Sequence, residues 1–400
     1  MNNFSNIKKM VSLAEASWDA ASSNDLTHIR TRYTESNKLK TQNGHEFINM
    51  CSCSYLGLDK HPKIISGAIK ALETEKVTIL PTSRTRIGLS LLDEVETNLS
   101  RLFKAEAIVT VSCAAASSGV LPLISSGVLT NDKKPVMIFD RFAHFSMNHM
   151  KAFCGDETTV LTCDHNDLDF IEKQLKEAGD RPVCYIADGA YSMGGYAPVK
   201  ELQALQDKYG LYVYFDDSHS ISMYGKNGVG FVRANYEELN KRTIIVASLG
   251  KAFGATGGVV LLGDPLMRRK IDIFGGPLGW SQTANVASLG AINSSISIHE
   301  SDELIQLQKK LSHVMSLFDE LIPTINANNN LPIRVVELFD AERAIQTSSE
   351  VYKRGFYTSP VFFPIVPKGH AGLRVMGRAD LTVDDITTFC QAVSEYSTSA

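Results

Sequence analysis

Five short, β-branched runs of this 400-residue chain each end in side chains able to do chemistry. The run 107–111 (AIVTV) leads into Ser112, Cys113, Ala114, Ala115, Ala116 and Ser117, small residues opening a helix. VMIF (136–139) leads into Asp140, Arg141, Phe142, Ala143 and His144, and VCYIA (183–187) into Asp188, Gly189, Ala190, Tyr191 and Ser192. LYVYF (211–215) leads into Asp216, Asp217, Ser218 and His219, and TIIVA (243–247) into Ser248, Leu249, Gly250 and Lys251. In a parallel sheet, the groups just past the carboxyl ends of the strands collect at one edge. A helix that opens with small residues offers free N–H groups and a positive dipole end to a phosphate. Ser248 adds a hydroxyl donor three residues before the lysine. A carboxylate facing a pyridine nitrogen keeps it protonated, so that the ring can drain electrons from a carbanion. A lysine forms a Schiff base with an aldehyde and later moves protons; an imidazole can stack on the ring face. The set suits a phosphorylated pyridine aldehyde, pyridoxal 5'-phosphate (PLP), with Lys251 as its Schiff-base partner.

Each residue also has an ordinary reading. A lone lysine is usually a solvated surface charge, and an aspartate after a strand, such as Asp140 or Asp188, is often a helix N-cap. A lone histidine is usually structural, and the small residues 112–118 could serve tight helix–sheet packing. The order and strand-end placement of all five segments together favour the chemical reading.

The elements that must position these groups are legible in the pattern. From about residue 57 to 290, short β-branched runs alternate with helical segments, the mark of βα units and a largely parallel sheet; GGVVLLG (257–263) is a sixth run. The residues before about 45 are polar and irregular apart from one helical stretch. The segment 301–322 puts Leu304, Leu307, Leu311, Val314, Phe318 and Leu321 on one helix face. Strands around LPIRVVEL and GLRVMG and a last helix, DDITTFCQAVSEY, follow, with NANNN (326–330) as a surface turn. The expected fold is α/β: a mostly parallel central sheet flanked by helices, with a smaller C-terminal α+β domain. The expected divisions are an N-terminal arm and helix at 1–56, a large cofactor-binding domain at 57–294 and a small domain at 295–400.

Composition narrows the partners. A net charge of -4 without a basic stripe gives no indication of nucleic acid or a charged membrane surface. No apolar run reaches the roughly 18 residues of a membrane span, and the first residues do not read as a signal peptide. The seven cysteines (51, 53, 113, 154, 163, 184 and 390) lack zinc-ligand spacing, so no metal is expected. They fit a reduced, cytoplasmic chain.

The segments SCAAASSG, DRFAHFS, ADGAYSMGGYAPVKEL, FDDSHSISMYGKNGVG and ASLGKAFGATGG resemble, in that order, the motif series of the α-oxoamine synthases, which are fold-type I PLP-dependent transferases. The resemblance extends from about NMCSCSYLGLDKHP (49–62) to GLRVMG (372–377). It implies that Lys251 holds PLP, Asp216 pairs with the pyridine nitrogen, His219 reaches the phenolic oxygen with Ser192 nearby, and His144 stacks on the ring. It further implies that the backbone amides of Cys113 and Ala114 and the Ser248 hydroxyl grip the phosphate. Ser281 and Thr283 of GWSQTAN would come from a partner subunit, giving a homodimer with shared active sites. Arg374 matches the arginine that takes the amino-acid carboxylate.

Two departures stand out: the family's asparagine before its Tyr-Leu-Gly segment is replaced here by the sequence Cys53-Ser54-Tyr55-Leu56-Gly57, and Leu92 stands at about the place of a family histidine. DRFAHFS also resembles the autoinducer-synthase branch, whose members make long-chain α-aminoketones. The implied reaction is a decarboxylative condensation of an amino acid with an acyl thioester, carried by coenzyme A or a carrier protein, to an α-aminoketone. In it Lys251 moves the α-proton, Asp216 keeps the ring electron-accepting and His144 polarises the thioester carbonyl. The alternatives are an aldolase-type C–C lyase or an aminotransferase on the same fold, and a non-catalytic partner subunit.

Overall fold

The computed structural model describes residues 7–34 and 38–398. The chain forms two compact units, one built on Leu56–Gln306 and the other on the described residues of Ser5–Tyr55 and Leu307–Ala400. In chain order, α1 (Ile7–Ser23) precedes the short strands β1 (Thr31–Tyr33), β2 (Leu39–Thr41) and β3 (Glu46–Asn49). Two helices follow, α2 (Pro62–Glu75) and α3 (Ser90–Phe103), then β4 (Glu106–Thr110), α4 (Cys113–Ser125) and β5 (Val136–Asp140). Next come α5 (Phe145–Asn148), α6 (Lys151–Glu157), β6 (Val160–Cys163), α7 (Leu168–Ala178), β7 (Val183–Asp188), α8 (Val199–Tyr209) and β8 (Tyr212–Asp216). The segment α9 (Phe231–Ala234), β9 (Thr243–Ser248), β10 (Gly258–Leu262), α10 (Met267–Phe274), α11 (Pro277–Trp280) and α12 (Val286–His299) leads to α13 (Asp302–Leu321). The chain closes with β11 (Ile333–Phe339), α14 (Ala341–Lys353), β12 (Phe356–Tyr357), β13 (Ser359–Val361), β14 (Ala371–Met376) and α15 (Val383–Thr398).

The first unit is organised by a seven-stranded sheet of order β4-β10-β9-β8-β7-β5-β6. Strands β6, β5, β7, β8 and β9 pair in parallel. Strand β10 is antiparallel to both β9 and β4, so β4 runs in the direction of the parallel set. Alternate residues feed two cores. Val109, Ile138, Tyr185, Val213, Phe215, Ile245 and Val259 enter one cluster, and Ile108, Met137, Phe139, Ile186, Tyr214, Val246 and Val260 the other. Both faces of the sheet are therefore covered, which is why its strands read as nearly continuous apolar runs. Burial of each such side chain is worth about 1.5–3 kcal/mol.

The second unit contains a four-stranded sheet, β1-β2-β3-β12, and an antiparallel three-stranded one, β11-β14-β13. Its core includes Ile48, Met50, Phe318, Leu373, Val375 and Phe389. Arg334, 1% exposed, sits here with both charges and donors matched. It meets Asp319 at 2.6 and 2.7 Å and donates to the Leu331 carbonyl at 2.7 Å. A buried charge is tolerable when it is paired and hydrogen-bonded in this way.

Three features depart from the sequence pattern. Strand β6 did not stand out, because only Cys163 of its four residues is buried and the alternation is weak. The polar N-terminal stretch contains β1, which is exposed, and β2, which is partly so, three-residue strands defined by pairing rather than by composition. Leu321, on the expected apolar face of 301–322, is 42% exposed, whereas Ile322 is 6% exposed.

Helices α2 and α12 approach through glycine. A Cβ added at Gly290 would lie 2.4 Å from the Gly67 carbonyl oxygen and 2.5 Å from the Ala71 Cβ. The oxygen belongs to the backbone and cannot swing aside, so overpacking at this point forces the helices apart. Gly290→Val is expected to destabilise the fold by about 1–3 kcal/mol, read as a lower urea midpoint. An unchanged midpoint would contradict this packing.

Candidate active site

Strands β8 and β9 lie side by side with Asp216 opposite Val246, so their following turns leave the sheet together. The β8 turn carries Asp217, Ser218 and His219, and the β9 turn carries Lys251. These turns bring Lys251 Nζ to 2.8 Å from His219 Nε2. His219 is 6% exposed, and Lys251 is partly buried. At this distance a proton can pass directly between the amine and the imidazole.

Asp216, also 6% exposed, terminates β8. Its Oδ1 accepts the Ser218 N–H at 3.0 Å, and its Oδ2 accepts the Cys113 thiol at 3.4 Å. Burial and the Asp216 charge push the Cys113 thiol well above its ordinary range, so it stays protonated and serves as a donor. The Ser218 hydroxyl accepts the Ser248 N–H at 2.8 Å and donates to Cys113 Sγ at 3.6 Å. The start of α4 is thus tied to the end of β8 through the Asp216 carboxylate, and the end of β9 to the β8 turn through the Ser218 hydroxyl. Next to Asp216 in register is Asp188, at the end of β7. Burial, and then the Asp216 charge, push the Asp188 carboxyl far up. Asp217 is fully buried, and burial pushes its carboxyl up to about 7; its Oδ2 accepts the Val232 N–H at 2.9 Å.

His144 is exposed and begins α5. Its backbone N–H donates to Asp188 Oδ1 at 3.2 Å, which ties it to the β7 end. Its Nδ1 accepts the Ser146 N–H at 3.2 Å and lies 2.8 Å from the Ser146 hydroxyl. Because Nδ1 is an acceptor, the neutral ring carries its proton on Nε2. Asp140, fully buried, is a structural hub: it accepts the N–H groups of Phe142 and Asn166 and the Tyr185 hydroxyl, each at 2.8 Å.

The start of α4 fits an anion. The Ser112 hydroxyl accepts the Ala115 N–H at 3.1 Å, and the Ser112 carbonyl accepts that of Ala116 at 3.1 Å. Among the described residues, the N–H groups of Cys113 and Ala114 have no acceptor. The space before them depends on Gly258, where an added Cβ would lie 2.6 Å from Cys113 N and from Ser112 C. Ser248 Oγ accepts the Gly250 N–H at 3.2 Å and is partly buried.

Each remaining sequence candidate has its own surroundings. Ser192 sits in the turn closed by the Tyr191 N–H to the Gly195 carbonyl at 3.0 Å. Ser281 ends α11, and Thr283 donates to the neighbouring Ala284 carbonyl at 3.3 Å. Arg374 belongs to β14 of the second unit; its Nε is buried without a hydrogen-bond partner among the described residues. Cys53, in the same unit, places its thiol 3.7 Å from Met376 Sδ. Leu92 is 4% exposed and packs in a core cluster of the first unit. The sequence reading used Cys113 for its amide alone and gave Ser218 no task; the thiol and the hydroxyl emerge only from the fold. Among the described residues no group of three or more His, Cys, Asp or Glu is placed to hold a metal, and no helix is long and apolar enough to cross a membrane.

Residues 45–393 match the family described as aminotransferase class I and II. The chain is 30% identical over 377 residues to an 8-amino-7-oxononanoate synthase of Thermosipho melanesiensis, covering 90% of each chain. The chain belongs to the α-oxoamine synthases of that family. It is also 29% identical over 354 residues to the mitochondrial 2-amino-3-ketobutyrate coenzyme A ligase of Bos taurus, covering 87% of this chain and 82% of the relative. Its fold matches that of a serine palmitoyltransferase from S. paucimobilis, a structure with bound PLP, at a TM-score of 0.85 and 20% identity over 98% of each chain. The fold is that of the fold-type I PLP-dependent transferases. The protein is a PLP-dependent acyltransferase, and its reaction is the decarboxylative condensation of an amino acid with an acyl thioester.

The chain's own residues fit that cofactor. The two N–H groups of α4 without acceptors suit a phosphate, the buried Asp216 carboxylate suits a protonated pyridine nitrogen, and the Lys251 amine suits an aldehyde. Gly258→Ala is expected to displace the start of α4 and weaken PLP binding by about tenfold or more. Equilibrium dialysis of the folded variant reads this directly; parental affinity would show that the approach of β10 to α4 does not shape the phosphate seat.

Proposed function

We propose that Lys251 carries PLP and that His219, Asp216, His144, Ser192, Ser248 and the amides of Cys113 and Ala114 hold it in place. The observation that carries this reading is the 2.8 Å meeting of Lys251 Nζ with His219 Nε2, on the turn that follows the buried Asp216. When bound, PLP supplies the electron sink that stabilises negative charge at the amino-acid α-carbon. The chain's residues supply the rest. Lys251 Nζ removes the α-proton and later returns one, with His219 at hand to exchange protons with the amine. The Ser218 N–H and the Cys113 thiol both donate to Asp216 and fix its orientation, while burial pushes the carboxyl of Asp188 alongside well up. A carboxylate facing the pyridine nitrogen is what would keep a pyridinium in place. The Nε2–H of His144 is a donor suited to the carbonyl oxygen of the thioester as charge develops there.

The amino-acid carboxylate would be taken by Arg374, whose Nε lacks a protein partner within its own unit. A guanidinium recognises a carboxylate through two parallel N–H donors. The acyl group would arrive on coenzyme A or on a carrier protein. Carbon–carbon bond formation releases the thiol, and loss of CO2 leaves an α-aminoketone. Ser281 and Thr283 of a second copy would complete the phosphate seat, in a homodimer working in the cytoplasm. The large domain of this reading spans 57–294, with 1–56 as an arm and 295–400 as the small domain.

Thiol release tests the proposal. Purified holoenzyme, given single amino acids with an acyl-CoA, is expected to release free thiol only when both substrates are present. Lys251→Ala should lower that rate by about 10²–10⁴-fold or more. Turnover of an amino acid that never releases thiol, with acyl-CoA and with an acyl-carrier protein alike, would overturn the reading in favour of a lyase or an aminotransferase.

A further inference from the structure

Behind the Lys251–His219 pair lies a second polar connection that the chemistry above leaves unassigned. Three residues after His219 comes Ser222, fully buried, with φ at 72°. That left-handed conformation is unfavourable for any residue with a Cβ, and a glycine would adopt it freely. The Ser222 N–H donates to the Gly228 carbonyl at 2.8 Å, and its hydroxyl lies 2.8 Å from His299 Nε2. A Cβ added at Gly228 would come within 2.7 Å of Ser222 Cα and 3.1 Å of His299 Cδ2. Glycine there lets the turn and the imidazole close on each other.

His299 is the last residue of α12 and is 1% exposed. Its Nδ1 lies 2.8 Å from the Ser295 carbonyl, which can only accept, so Nδ1 carries the proton. Burial lowers its pKa to about 4, so the ring is neutral near pH 7 and Nε2 accepts the Ser222 O–H. The same helix reaches the other turn. Ser295 Oγ donates to the Phe253 carbonyl at 2.5 Å, and the Phe253 ring lies 4.4 Å from that of His299. Phe253 is two residues past Lys251. One end of α12 therefore grips both turns: the Lys251 turn through Phe253 and the His219 turn through Ser222.

We propose that Ser222 and His299 are positioning residues that lock the His219 turn against the Lys251 turn and so set the separation of the imidazole from the lysine amine. The inference rests on the reading that Lys251 carries the cofactor. It adds a means by which the amine is kept within proton-transfer reach. Ser222 accepts an unfavourable backbone conformation, and the hydroxyl bond to His299 is what that conformation gains. Strain concentrated beside a reacting group and held by surrounding contacts is a recurrent device of active sites.

Ser222→Gly separates the two roles of the serine, since it relieves the backbone while removing the hydroxyl together with its Cβ. Holoenzyme of this variant is expected to melt no lower than the parent. Its kcat should fall about tenfold through misplacement of the reacting groups, with KM for the amino acid within about twofold of the parent. The visible circular dichroism of the bound cofactor should change, and apoenzyme should recombine with PLP more slowly. His299→Phe keeps the stack on Phe253 and should reproduce these effects, and the double variant should be no worse than either single one. Folded Ser222→Gly or His299→Phe with parental kcat, circular dichroism and recombination rate would overturn the proposal. So would additive losses in the double variant. Lys251→Ala measured in parallel separates the two claims: if it retains the parental visible band, the assignment of Lys251 fails, whatever Ser222 does.

Discussion

The contact between Lys251 Nζ and His219 Nε2 is the feature on which the rest of the site depends, and it is set by strand geometry. Lysine and histidine are 32 residues apart in the chain, and neither turn has any local reason to meet the other. They meet because β8 and β9 are parallel neighbours in register, ending together at one edge of the sheet. A parallel pair needs a crossover, here supplied by the segment with α9, and it needs cover on both faces. Two apolar clusters provide that cover. Strand β10 then reverses direction, and Gly258 brings its first residue hard against the start of α4. The start of α4 and the lysine turn are consequently built on adjoining ends of one sheet.

Electrostatics explains how several acids coexist there. Asp188 and Asp216 end neighbouring strands and are both almost completely buried. Two buried like charges at such a spacing are costly, and the structure resolves the conflict by unequal treatment. Asp216 receives a backbone N–H and a thiol, whereas Asp188 carries its burial as a raised pKa. The Cys113 thiol, forced to remain protonated, becomes a fixed donor rather than a nucleophile. From α3, Glu96 accepts the N–H of Val109 in β4 at 2.8 Å and pairs with Arg84 at 2.9 Å and also with Arg268. These bonds hold the strand that delivers the α4 N-terminus.

Much of this was legible in the sequence because parallel strands buried on both faces write themselves as short apolar runs. The residues immediately after those runs include ones that the structure links: Lys251 with His219, Cys113 with Asp216, and His144 with Asp188. What escaped notice depends on contacts that sequence spacing does not encode. Strand β6 exists through pairing with β5, and its composition is ambiguous. The Cys113 thiol gained its task from the approach of the start of α4 to the end of β8, and Ser218 from the approach of β8 to β9. Ser222 looks like an ordinary loop serine until its backbone angle is known, and His299 lies 77 residues away from it on another element. Ser192, Ser281, Thr283 and Arg374 were named through family resemblance, and their local surroundings alone do not assign them.

The measurement that tests the account most directly is chemical trapping of the cofactor on the chain. Holoenzyme is reduced with borohydride, digested, and the phosphopyridoxyl-bearing peptide is located by mass spectrometry. The account predicts a single labelled lysine, Lys251, and no label once that residue is replaced by alanine. Label on a different lysine, or reduced protein that carries none, would contradict it.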